Sequence, residues 1–321
     1  MKPNLKNFSR RIDLTSLQLF VAVCELKSIG RAAEREFLSA SAVSKRLAEL
    51  EKVVGSLLLE RHSRGVNLTQ AGESLLLHSR SVLFGLEKMQ SDLDEIANGV
   101  RGHVKIHAST TAIVQFLPED LSTFAVKHER IKIDLEEHMG AEVARAVREG
   151  GASIGIYHYA AEEIPLHQDD GGDTHLQSKP YRVDRLVLVV PEGHPLGERE
   201  QVEFAEALDY DIVGLHAGTS IGLTMLRAAA EAGKQLKLRI QVSGLDATCR
   251  MIDRGMGIGV VPDRAFELMR GMGTIRAIAL SDDWAQRELR IVARDFAALP
   301  ASARLLVDHL TASTVASTAN I

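Results

Sequence analysis

Residues 28–55 read SIGRAAEREFLSASAVSKRLAELEKVVG, and the fold of the N-terminal quarter follows from how this stretch divides. Ser28 and Ser39 each precede a helical apolar pattern, where a short hydroxyl side chain caps the orphan backbone N–H groups of a helix start. Between them, Ile29–Phe37 is predicted as a short helix whose Ala32 and Ala33 let another helix cross closely. After Ser39, the apolar residues Val43, Leu47, Leu50 and Val54 recur at i, i+4, i+7 and i+11, one buried stripe over Ala40–Val54. Ser41, Ser44 and Lys45 then point away from the stripe. Two helices joined by a turn of about three residues, the second with hydroxyls and cations on its free face, form the arrangement that lays a recognition helix in the major groove of DNA. A generic helical hairpin with a solvated face has the same periodicity.

Working outward, Leu17, Phe20, Val21 and Cys24 give a preceding helix over residues 14–27 behind the cap candidate Asp13. Downstream, Leu57–Arg61 and Val66–Thr69 are extended runs around the basic, glycine-containing tip His62–Gly65, the pattern of a β-hairpin wing. Arg61 and Arg64 on this wing would lie along a phosphate backbone. Residues 1–70 hold 12 Lys/Arg against 7 Asp/Glu, whereas the rest of the chain holds 26 against 36. A basic head on an acidic body is the asymmetry expected when one end binds a polyanion.

The stretch from Leu14 to Gly72 resembles the DNA-binding domain of the LysR-type transcriptional regulators. LQLFVAV, SIGRAAE (Ser28–Glu34), LSASAVSKRLAELE (Leu38–Glu51) and LLLERHSRGVNLTQAG (Leu57–Gly72) match it in order. The resemblance implies a winged helix-turn-helix that binds double-stranded DNA at a partly palindromic operator through Arg31, Ser39, Ala40, Ser41, Ser44, Lys45, Arg46, Arg61 and Arg64. The chain departs from the family's pattern at Ala40-Ser41, where Gln-Pro or Gln-Ser is usual, at Gly30 for Thr, and at Glu36 for an apolar residue. Losing an amide at position 40 removes a bidentate reader of adenine.

Beyond Thr69, the residues Leu75, Val82, Met89 and Ile96 fall seven apart, with Leu86 and Leu93 at the interleaved heptad positions. A helix from about residue 70 to 97 would be roughly 40 Å long, too long for one small winged domain to bury, so the stripe calls for a partner helix or for the chain's own effector domain. In LysR-type regulators the corresponding helix makes an antiparallel dimer, so the resemblance implies a homodimer here, extended to a tetramer through the effector lobes. Asn98-Gly99 ends the helix.

The remainder alternates β-like and helical runs. Strands are expected at His103–Ala108, Ile131–Glu136, Ser153–Tyr157, Leu186–Val190, Asp211–Leu215, Leu238–Val242 and Gly257–Val261, which predicts parallel sheets wrapped by helices in two lobes. A polar, glycine-rich crossover (Gln168–Lys179) separates the lobes, and Arg276–Ala293 with a last helix near Ala301–Leu310 returns to the first. PEGHPL (Pro191–Leu196) and GMGIGVVP (Gly255–Pro262) resemble the periplasmic-binding-protein-like effector domain of the same family. The expected division is therefore a DNA-binding domain (1–69), a linker helix (70–99), a two-lobed effector domain (100–312) and a flexible tail (313–321). Lobe I takes about 100–164 and 275–312, lobe II about 165–274.

Ligands of open α/β sheets settle at the carboxyl ends of strands. This selects Ser109, Thr110, Thr111, His138, Tyr157, His216, Gly218, Thr219, Ser220 and Ser243 as effector-binding candidates, with a small carboxylate or related anion as the effector class. Helix capping alone would equally explain Thr219 and Ser220. Gly218–Gly222 matches G-x-S-x-G at a strand-to-helix turn, as in a serine hydrolase, but the only downstream histidine is His309 in a Ser/Thr/Ala-rich end. Gly255, Gly257 and Gly259 lack the dinucleotide-binding spacing. Cys24 and Cys249 stand 225 positions apart with no CxxC, so neither a disulfide framework nor a metal centre is expected, no cofactor is implied, and both thiols read as buried. MKPNLKNFSRRIDL lacks an apolar signal core and no segment approaches the ~18 apolar residues of a membrane span, which predicts a cytoplasmic protein with no membrane partner.

Overall fold

The computed structural model describes residues 11–62, 65–98, 100–158 and 176–318, which divide into two compact units parting at residues 99 and 100. In the first unit, α1 (Leu14–Leu26) starts where the Asp13 carboxylate accepts from the Ser16 N–H at 2.9 Å. α2 (Ile29–Arg35) and α3 (Ala40–Val54) are capped by Ser28 and Ser39, as their positions predict. The expected second helix is two residues shorter, because Phe37 takes a left-handed φ of 55° and the Leu38 N–H bonds back to the Ala33 carbonyl, closing the turn. Val43, Leu47 and Leu50 are buried against Phe20, Ala32 and Ala33.

The wing is the antiparallel pair β1 (Leu59–His62) and β2 (Gly65–Leu68), with Leu59 opposite Leu68 and His62 opposite Gly65. Gly65 has φ of +136°, and a Cβ there would stand 2.4 Å from the Lys27 carbonyl oxygen, so only glycine lets the wing close against the end of α1. Glu51 of α3 accepts from the N–H groups of Leu58 and Leu59, tying the wing to that helix.

α4 (Gln70–Asn98) spans 29 residues, about 43 Å at 1.5 Å per residue. Leu75, expected in a dimer seam, is half-buried and, like Ala71 and Leu83, packs at the edge of the core of its own unit, where Leu76 is buried. Leu86 is half-buried, while Val82, Met89 and Leu93 are 46%, 55% and 60% exposed. The Ile96 side chain lies outside the described residues. No helix among the described residues is long and apolar enough to cross a membrane.

The second unit begins with β3 (Gly102–Ala108), α5 (Thr110–Gln115), α6 (Leu117–Lys127), β4 (Ile131–Glu137), α7 (Gly140–Arg148) and β5 (Ile154–His158). β3 pairs in parallel with β4 and β5, as alternation predicts. β6 (Gln177–Pro191) departs from expectation, being one unbroken strand of 15 residues. Its first half, which includes the end of the predicted polar crossover, pairs antiparallel with β12 (Gln286–Ala293) in the lobe I sheet. Its second half, Leu186–Pro191, pairs antiparallel with β10 (Gly259–Pro262) and β11 (Ile275–Leu280) in lobe II. The all-parallel expectation is thereby corrected to a mixed sheet in the order β4-β3-β5-β12-β6-β11, with β7 (Gln201–Val202) at its end and β10 also on β6. β11 stays on the lobe II side, so the return to lobe I comes at Gln286 rather than at 275. Its alternation alone could not say which sheet it joins.

Lobe II is completed by α8 (Phe204–Ala207), the parallel strands β8 (Ile212–Leu215) and β9 (Leu238–Val242), and α9 (Ser220–Glu231), α10 (Leu245–Asp253) and α11 (Asp263–Met269). Its core runs from Leu186–Val190 through Ile212, Met225, Ile252 and Phe266. The last helix, α12 (Ala301–Thr318), runs on into the expected tail as far as Thr318.

Candidate functional site

All ten effector-binding candidates line one cleft of about 380 Å³ between the two lobes of the second unit. Lobe I supplies Ser109 and Thr110 after β3, Thr111 in α5, His138 after β4, and Tyr157 near the end of β5. Lobe II supplies His216, Gly218 and Thr219 after β8, Ser220 at the start of α9, and Ser243 after β9. At Gly218 the lobes approach closely, since a Cβ there would stand 2.7 Å from the Met139 sulfur.

The hydroxyls differ in what they are free to do. Thr219 is occupied as the cap of α9, accepting from the Gly222 N–H at 3.1 Å and donating to the His216 carbonyl at 2.8 Å. Ser109 and Thr111 bond each other at 3.1 Å without capping α5. Thr110 donates to Glu137, a cleft residue that the sequence reading passed over, as it did Glu142. Both directly adjoin or closely follow a chosen strand end, so extending the strand-end rule by one turn would have found them. The buried His158, which the strand-end rule reaches together with Tyr157, also lines the cleft.

Behind two cleft residues, His158 and Ser220, lies a buried charged cluster on the crossover strands. Asp184 of β6 and Arg287 of β12 are register partners, with side-chain exposures of 0% and 7%. Arg287 donates from Nε to Asp184 Oδ1 at 3.1 Å, from Nη2 to Oδ2, and from Nη1 to the Ser220 hydroxyl of lobe II at 3.3 Å. Gln115 donates to Asp184 at 3.0 Å and His158 Nε2 lies 3.2 Å from it. Burial alone would raise the Asp184 pKa. The adjacent guanidinium and imidazole outweigh it and hold the carboxyl well below the usual carboxylate range. Burial, with Arg287 nearby, pushes His158 down.

Beside the cleft, burial and the neighbouring His138 ring push His107 from 6.5 to about 4. The Lys105 ammonium, 2.9 Å away, is the leading cause that brings Glu136 down to about 2. Burial pushes the Cys24 and Cys249 thiols up, to about 12 and about 11, so neither is a ready thiolate.

On the first unit, Ser41, Lys45 and Arg46 are exposed on α3 opposite its buried stripe, Ser44 is half-exposed, and Ala40 opens the helix. Ser39 is committed to its cap, accepting from the Ala42 N–H at 3.2 Å. Arg46 pairs with Asp13 at 3.4 Å, and Arg31 donates to the Leu26 carbonyl, so both are partly engaged in the fold. Arg61 is exposed on β1, while Arg64 lies outside the described residues.

The G-x-S-x-G turn has no hydrolase geometry. Ser220 is hydrogen-bonded to Arg287 rather than to an imidazole, and His309 bonds Thr123 and the Asp120 carbonyl in lobe I.

A histidine whose pKa is lower folded than unfolded leaves the unfolded chain binding more protons between the two values. Stability from His107 is therefore whole above pH 6.5 and is lost as the pH falls toward about 4, and His158 and Asp184 act in the same sense. The melting temperature of the second unit is expected to fall progressively on acidification from pH 7 to 4, measured by circular dichroism. A flat profile would contradict the buried neutral state of both histidines.

Comparison with known proteins places both units. Residues 14–73 match the bacterial regulatory helix-turn-helix protein, lysR family, and residues 97–314 match the LysR substrate binding domain. A probable RuBisCO transcriptional regulator of Trieres chinensis is 27% identical over 284 residues, covering 87% of this chain and 90% of the relative. The HTH-type transcriptional regulator AlsR of Bacillus subtilis (strain 168) is 27% identical over 278 residues, covering 85% and 89%. Among solved structures, a full-length OxyR variant from Pseudomonas aeruginosa superposes with a TM-score of 0.72 at 22% identity, covering 93% of this chain and 94% of that one. Full-length CbnR complexed with its target DNA gives 0.62 at 18%, covering 94% and 100%. Because the two domain matches together account for nearly the whole described chain, the protein belongs to the LysR family of DNA-binding transcription regulators with an effector-binding domain, and it is not an enzyme.

Proposed function

We propose that this regulator reads a partly palindromic operator as a dimer and that a small carboxylate or related anion in the interlobe cleft sets its activity. The observation that carries this reading is the convergence of hydroxyls from both lobes, with Arg287 behind Ser220, on one cleft. Hydroxyls and the start of α9 supply donors for a carboxylate, with the Arg287 guanidinium held behind Ser220 by its bonds to Asp184 and that hydroxyl. Glu137 and Glu142 on the same wall favour an effector that also carries a donor or cationic group. A ligand that bridges the lobes regulates only to the extent that it binds one lobe arrangement better than another.

Dimerisation is supported by the exposed apolar stripe Val82, Met89 and Leu93 on α4, since a partner helix would remove it from water. A tetramer through the effector lobes is the extension that the family resemblance supplies. Two recognition helices related by a dyad call for half-sites about 10 bp apart or a multiple of that spacing. On each helix, Ser41 and Lys45 are the exposed side chains best placed for DNA, and Arg61 on the wing supports a backbone contact.

Lys45→Ala is expected to weaken duplex binding, measured by fluorescence anisotropy across salt concentrations. If Lys45 meets only phosphate, the loss is similar on all sequences and the log–log salt slope falls by about 0.9. Unchanged affinity and slope would remove Lys45 from the interface, and no duplex affinity at all would refute the DNA-binding reading.

For the cleft, Thr110→Val and Ser220→Ala are each expected to weaken the effector response by about 1–3 kcal/mol, where a buried ligand oxygen loses its partner. DNA binding without effector should stay near wild type in both. A metabolite screen by thermal shift identifies the ligand, because 100 times its Kd stabilises the fold by about 2.7 kcal/mol. Responses unchanged in both variants would place the effector elsewhere.

A further inference from the structure

A cluster on the rim of lobe I shares His138 with the effector cleft, but its other two members, His107 and Glu136, lie outside the cleft lining. The parallel pairing of β3 with β4 sets His107 directly beside Glu136, and the chain leaving β4 brings the His138 ring over that of His107, stacked at 4.3 Å between centroids. Glu136 Oε2 lies 3.1 Å from His138 Nε2 and 3.4 Å from His107 Nε2. One potential ligand atom from each of the three side chains lies within 4.8 Å of the others. His107 is 6% exposed, and neither of its ring nitrogens has a hydrogen-bond partner. A buried imidazole left in that state is costly unless something else engages it.

We propose that His107, Glu136 and His138 form a binding site for a divalent first-row transition ion of the zinc, cobalt or nickel class. Imidazole and carboxylate donors suit these ions, and bonds of 2.0–2.2 Å in a tetrahedral site put ligand atoms about 3.4 Å apart, close to the spacings from Glu136 to both histidines. Three protein ligands leave a fourth position for water or another small donor. The surroundings orient the set. Lys105 holds the other Glu136 oxygen at 2.9 Å, which turns Oε2 toward the histidines, although its charge also opposes that of an ion. Glu142 Oε2, 3.9 Å from His138 Nδ1, is a small side-chain movement from accepting that N–H and so fixing the tautomer that leaves Nε2 to ligate. The site shares His138 with the cleft but needs no interlobe ligand, so cobalt binding in the absence of effector tests it separately from the effector reading.

The test is titration of the full chain with cobalt(II), after treatment with chelator and dialysis, followed by visible d–d absorption. The expected result is a band saturating at one cobalt per chain, abolished by added zinc and weakened at least about tenfold in His138→Gln and in Glu136→Gln. Both residues are half-exposed on the rim, which avoids the folding risk of replacing His107. His103→Gln is the control, because that exposed ring sits 4.0 Å from Asp134 on the same two strands, outside the cluster. Its titration should match wild type. No band, or equal affinity in wild type and His138→Gln, would overturn the site.

Discussion

The second unit depends on one ion pair, Asp184 with Arg287, placed where two strands cross between lobes. Breaking a buried pair by removing one partner typically costs about 3–5 kcal/mol, because the other charge is left uncompensated, even where the intact pair adds little to stability. The consequence is geometric. Asp184 and Arg287 are register partners on β6 and β12, so the pair holds the crossover in one register. From that pair, Gln115 ties in α5, His158 ties in β5, and Ser220 ties in the first turn of α9. A ligand in the cleft would meet this network through His158 and Ser220, which line it.

The first unit solves a simpler problem by local means. Capping serines, the left-handed Phe37 and the glycine at 65 set the turn angles. The apolar stripe of α3 then leaves its hydroxyl and lysine face outward. Ser39 and Thr219 show that a residue chosen for ligand contact can be held by its backbone instead. Thr110, bonded to the Glu137 carboxylate rather than held by the backbone, is one of the hydroxyls whose loss would report on a ligand with the least effect on the fold.

Local signals were legible in the sequence because their physics is local. Caps, the i, i+4, i+7 stripe and the wing turn occupy a few residues each, and the strand-end rule needed only the order of strands to gather all ten cleft candidates. What was missed is what depends on pairing across the chain. The start of β6, Gln177–Lys179, reads as the end of a polar crossover, because its partner is more than a hundred residues away. Asp184 and Arg287 look like ordinary surface charges until the register brings them together. Leu75 shows the same limit on a helix, since heptad spacing cannot distinguish a seam with another chain from the edge of its own core. Likewise His107 is 31 positions from His138, a spacing that carries no metal signature until β3 and β4 pair.

The account's central claim is that the Asp184–Arg287 pair couples the crossover strands as a unit. The direct measurement is a double-mutant cycle in the unfolding free energy of Asp184→Asn, Arg287→Met and the combined variant, by denaturant titration. Each single substitution is expected to cost about 3–5 kcal/mol, and the double variant is expected to cost well under their sum, because neither charge is then left alone in the interior. Losses that add to within about 0.5 kcal/mol would contradict it, because sites that do not interact behave that way.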